Sequence, residues 1–244
     1  MKALFDATTQ ALGMMESPIL FRYVDDLPQG TLLPPEGTRV CLFALLAKTR
    51  ADGRPVALSA THYGCAGGGF YLGFLESPRE GIDYFLSCGI PGTVEGERYV
   101  ATPELARARI AQAPVRRAKA KYGLFTRADG PSHPETPEVV VFFANADQVA
   151  GLHMLAGFDR DDDAVVAPFS SGCGAIVSHP LAEGERQRPR AVLGLFDPSA
   201  RPFVDADLLT FAVPYAMFER MAENVPKSFL TRPTWGAIRK RIRG

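Results

Sequence analysis

Along this chain the apolar positions come in short bursts between turn-forming residues, and their period alternates between that of strands and that of helices. Residues 3–15 predict an opening helix, and Ile19–Val24, beyond Pro18, predicts a strand. Arg39–Arg50 contains the longest unbroken apolar run, Val40 to Ala47. Its Leu and Ala content favours a buried helix, which Ala51-Asp52-Gly53 stops. A strand at Val56–Ala60 follows, then helical turns on either side of Pro78. Thr102, Pro103 and Glu104 supply an N-cap, a first-turn proline and a first-turn acid for a helix running to Gln112.

In the second half, Glu138–Phe143 is the clearest buried strand. Asn145, with Gln148 three residues on, forms a capping box for a helix that runs to Phe158. Val165–Phe169, Ala191–Leu195 and Leu208–Val213 predict strands, and Tyr215–Asn224 and Thr234–Ile242 predict closing helices. Between Pro114 and Pro137 a basic and then polar stretch holds one strand near Leu124, and its latter half reads as an exposed connection.

This alternation predicts an α/β protein with a mixed, largely parallel sheet flanked by helices. It predicts a single domain over residues 1–244, with halves 1–113 and 138–244 joined by the polar connection. Each half runs strand, helix, strand and then a Gly-Cys turn, the outline of a duplication, although the halves share no identity beyond Gly-Cys. Right-handed crossovers would set both turns beyond the carboxyl ends of parallel strands, the edge at which open α/β sheets bind ligands.

A length of 244 residues with 46% hydrophobic content is enough to bury a sizeable core. Lys plus Arg balance Asp plus Glu at 27 each, so no global field draws the chain to nucleic acid or to an anionic membrane. A small molecule or cofactor is the expected partner, and the oligomeric state stays open. The basic ending around Arg239, Lys240 and Arg241 suits the negative end of a helix dipole. The first residues show no export signal, and no apolar run approaches the roughly 20 residues of a membrane span, so a cytoplasmic location is expected.

Without an export signal the four cysteines are expected as free thiols. Cys41 lies in an apolar run and reads as a packed hydrophobe. Cys65 and Cys173 stand among glycines: Gly64, Gly67, Gly68 and Gly69 around the first, Gly172 and Gly174 around the second. Three uses follow. The glycine N–H groups can cradle an anionic ligand or cofactor. A helix start after Cys65 can depress that thiol's pKa and make Cys65 a catalytic nucleophile. Alternatively, Cys41, Cys65 and Cys173, with His62, can bind zinc or an iron-sulfur cluster, although the sequence has no CxxC pair. Neither a phosphate-binding P-loop nor a dinucleotide fingerprint is present. His62, His153 and His179 are candidate bases for a Cys-His pair; in the bland alternative His62 and His179 are polar turn residues, His153 sits on a helix face, and His133 is solvated.

The segments from Arg39 through Phe74, from Phe85 through Tyr99, from Glu138 through Leu155 and from Phe169 through Ile176, with Leu193 through Arg201, carry a resemblance to a known family. The chain resembles the domain of unknown function 169 family, the uncharacterised ArCR proteins of bacteria and archaea, over nearly its whole length. The resemblance implies that Cys41, Cys65 and Cys173 occupy the family's cysteine positions, with Cys88 outside that pattern. It implies a redox or iron-sulfur role and supplies no established activity.

Overall fold

The protein is described by a computed structural model covering residues 2–131 and 133–243. Every residue of strand β1 (Ile19–Val24) is buried, which requires cover on both faces. Strand β4 (Val139–Ala144) is likewise buried throughout and pairs with β1 at the centre of a seven-stranded sheet. On one side of β1 stand β3 (Tyr122–Arg127) and then β2 (Val56–Leu58) at the edge. On the other side of β4 come β7 (Leu209–Pro214), β6 (Ala191–Gly194) and the two-residue edge strand β5 (Val165–Val166).

The expected mixed sheet between helices is present, but it is mostly antiparallel rather than largely parallel. Among the named strands only β5 and β6 pair in parallel. The strand–helix–strand pattern was a correct sign of like-directed strands but not of neighbours. β1 and β2 run the same way and β3 fills the gap between them in the opposite sense. β7 and β6 fill the gap between β4 and β5.

Alternate side chains of each strand feed two cores, as the pleat requires. Ile19, Phe21, Tyr23, Val139, Val141 and Phe143 face α2 (Leu42–Asp52), α3 (Ala66–Tyr71) and α7 (Gly172–Ile176), with α8 (Ser178–Gly184) beyond. Leu20, Val140, Phe142, Phe211 and Val213 face α1 (Lys2–Leu12), α6 (Ala146–Ala156), α9 (Tyr215–Asn224) and α10 (Pro233–Arg243). Two further helices, α4 (Ile82–Leu86) and α5 (Pro103–Ala111), pack against each other.

The predicted caps form. The Asn145 side chain accepts from the Gln148 N–H at 3.0 Å, and the Gln148 side chain accepts from the Asn145 N–H at 2.9 Å, starting α6. Thr102 caps α5.

The two halves place their crossover helices on opposite faces, α2 in one layer and α6 in the other. Their outer strands, β2 and β5, lie at opposite edges of the sheet. The Gly-Cys segments therefore do not meet at a shared strand end. They meet over the face of the sheet, where α7 packs on β6 and β7 and against α2 and α3. No helix among the described residues is long and apolar enough to cross a membrane.

Candidate functional site

Cys65 is the N-cap of α3. Its backbone is extended (φ −88°, ψ 156°), and its sulfur accepts a hydrogen bond from the Gly68 N–H at 3.3 Å. The N–H groups of Gly67 and Leu42 also bear on this sulfur. Leu42 is the first residue of α2, so two helix starts, each with its unpaired N–H groups and positive dipole end, converge on one thiol.

Gly64 makes that convergence possible. It adopts φ 66°, and a Cβ there would come within 2.6 Å of the Val40 carbonyl oxygen, so any side chain would push the Cys65 loop off the entrance to α2. The run Gly67, Gly68 and Gly69 lies inside α3 rather than in an open loop, and the Gly68 amide is already engaged by the protein's own sulfur.

Cys173 lies in the first turn of α7, not in a simple turn as its flanking glycines suggested. Ser171 caps that helix, its Oγ accepting from the Gly174 N–H at 3.2 Å. Gly174 allows the close packing: a Cβ would overlap Ser170 Oγ and approach the Tyr71 ring to 2.8 Å. Gly172 is pressed in the same way against the Phe43 ring of α2, and its N–H donates to Asp197 Oδ2 at 3.2 Å. Cys41 is the N-cap of α2. The three cysteines that the family resemblance pointed to thus stand at the starts of three helices in one layer.

The thiols differ in ionisation. Cys65 is held down to about 6, first by the hydrogen bond from Cys173 and then by the three backbone amides, against the opposing effect of burial. Cys173, which is buried, is pushed well above its ordinary value by the same contact and by burial. The two thiols are thus driven in opposite directions, Cys65 toward the thiolate and Cys173 toward the thiol. Burial also pushes Cys41 up, with the neighbouring Cys65 sulfur and Asp197 adding to the effect. All four cysteines are free.

A cavity of about 380 Å³ adjoins this layer. Tyr71, Ser171 and Asp197, which contact the α7 start, form one side of it, and Tyr99, Phe169 and Phe196 contribute further aromatic wall. Burial pushes the Tyr71 hydroxyl up, although a hydrogen bond with Ser171 works the other way. Just before Phe196 and Asp197, Leu195 takes φ 69°, a left-handed conformation that costs a branched residue energy and sets the course of the chain into the cavity wall.

Sequence reasoning singled out the two Gly-Cys segments but missed Tyr71, Ser170, Ser171 and Asp197. One signal was available: Ser171 three residues before Gly174 is the spacing of a helix N-cap. The histidines do not join the thiols. His62 Nδ1 lies 3.0 Å from the Pro34 carbonyl oxygen, His133 lies 2.6 Å from Glu135, and His153 is exposed on α6. His179 lies in α8, where burial lowers its pKa. Among the described residues no hydrogen bond or ion pair joins a histidine to Cys65 or Cys173. Nor does any group of three or more His, Cys, Asp or Glu side chains among them have the arrangement to hold a metal ion, so the expected ligand set Cys41, Cys65 and Cys173 is not drawn together as one. Cys88 is exposed and lies beside the 90–98 segment.

No curated protein and no solved structure matches the chain. A family model does match, over residues 9–224, a span that takes in all three helix-start cysteines and the cavity walls. The chain belongs to the domain of unknown function 169 family, the uncharacterised ArCR proteins.

Proposed function

We propose that the Gly-Cys segments form a thiol site in which Cys65 is the working nucleophile, acting on a small molecule delivered from the adjoining cavity. The observation that carries this reading is the placement of the Cys65 sulfur at two helix starts with Cys173 as its partner. A thiolate, not a thiol, attacks carbon or sulfur electrophiles, and here the thiolate forms without a histidine. Cys173 supplies the stabilising hydrogen bond while keeping its own proton. The amides that the sequence offered as a cradle for an external anion instead stabilise the charge on Cys65. That favours thiol chemistry over anion binding as the use of this loop.

The test is a pH series of iodoacetamide alkylation in a Cys88→Ser background, which removes the exposed thiol. Cys65 modification should be half-maximal near pH 6 rather than at the ordinary value of about 8.5. Cys173→Ala should move it upward by at least one pH unit, because the largest stabilising contact is gone. A wild-type Cys65 that titrates at about 8.5 or higher would falsify the proposal.

A further inference from the structure

We infer that the cavity beside the thiol layer binds a small, planar, apolar monoanion of the aromatic carboxylate class, with its ring between the aromatic walls and its carboxylate at Arg109. The inference is independent of the chemistry at Cys65. A cavity of about 380 Å³ falls at the small end of sites that enclose organic ligands. Its walls are largely apolar, with Leu86 and Ile110 beside the aromatic rings. Phe169 and Phe196 remain 55% and 50% exposed although they are large aromatic side chains, and a bound ring would cover surface that the fold itself leaves in water.

The charges in the cavity decide the sign of the ligand. Asp197 is committed to its own loop: Oδ1 accepts from the Ser199 N–H at 3.0 Å and hydroxyl at 2.7 Å, and Oδ2 accepts from the Gly172 N–H. Arg109 is not so committed. Its guanidinium stacks on the Phe169 ring, 4.0 Å from the centroid, and no carboxylate among the described residues pairs with it. Arg107 on the same helix, by contrast, pairs with both Asp83 and Glu104. With the guanidinium carbon seated over the ring, the N–H groups remain available to a planar, bidentate acceptor.

Ser170 also lines the cavity, but its Oγ is buried beside Gly174 without a hydrogen bond, and a ligand oxygen would satisfy it only if the hydroxyl turned toward the cavity.

The experiment compares 2-naphthoate with its neutral methyl ester, by calorimetry, on the full chain. Wild type should bind 2-naphthoate at least about tenfold more tightly than the ester, roughly 1.4 kcal/mol. Arg109→Gln, an exposed substitution that the fold tolerates, should abolish that preference while leaving ester binding within about twofold. Phe169→Ala should weaken both probes. Equal affinity for acid and ester in wild type, a preference that survives Arg109→Gln, or no binding of either probe would overturn the assignment. The alkylation series reads Cys65, whereas the calorimetry reads Arg109 and Phe169, so failure of the thiol proposal and failure of this one give different results.

Discussion

The opposite shifts of Cys65 and Cys173 make folding stability depend on pH with a defined sign. Cys65 ionises lower in the folded protein than in the unfolded chain, so its contribution is present above the ordinary thiol value and is lost as pH falls through about 6. Cys173 is shifted upward, so its contribution is present below the ordinary value and is lost as pH rises through its folded pKa. The pair should therefore stabilise the protein most near pH 8.5, where the unfolded thiols begin to ionise. Urea midpoints of wild type against a Cys65→Ala, Cys173→Ala double variant, taken from pH 5 to 10, should differ most there, and the gap should narrow toward pH 5 as the Cys65 contribution is lost. A gap independent of pH would exclude the opposite shifts. The residues were legible in the sequence because glycine is a strong local signal. Their coupling was not, since it depends on a contact between positions about a hundred residues apart.

At the scale of elements, the sequence was most legible where a start signal is local. The Asn145 and Gln148 box and the Thr102 cap are read within four residues and both form. Legibility fell where tertiary packing overrode propensity. Tyr122–Arg127 looked like a fragment of strand in a basic, polar connection, yet it is a six-residue inner strand, because β1 and β2 both need a partner. Gly172–Ile176 contains two glycines in five residues and read as a turn, yet it forms α7 because those glycines let the helix lie against Phe43 and Tyr71. This gives a prediction for the element. Gly174→Ala would force the Tyr71 ring to move and should cost about 1–3 kcal/mol in chemical denaturation. It should also raise the alkylation pH of Cys65, since α7 carries Cys173. An unchanged Cys65 titration in a destabilised Gly174→Ala protein would show that α7 packing does not set the thiol pair.

In the whole molecule the two helical layers divide the work. The layer of α2, α3 and α7 carries the thiols, whereas the opposite layer fastens the ends of the chain together. Trp235 of α10 donates its Nε1–H to the Ala11 carbonyl oxygen at 2.8 Å and packs so tightly on α6 that a Cβ at Gly151 would lie 2.8 Å from its Cζ2. Trp235→Ala should cost about 3–5 kcal/mol in urea unfolding and leave the Cys65 alkylation profile in place. A shifted profile would mean that the layers are coupled through the sheet. Fold class was readable from the strand and helix periods, but strand order was not, because the gap-filling strands β3, β6 and β7 follow in sequence the strands that they separate. That order has a kinetic consequence. Cys65 follows β2 on one wing of the sheet and Cys173 sits on α7, which packs on β6 and β7 of the other, so we expect the two to meet late, once both wings have joined the β1–β4 pair. Folding ordinarily hides thiols from reagents. Here, near neutral pH, completing the fold would create the fast-reacting sulfur, and its appearance would mark the moment at which the native state is reached.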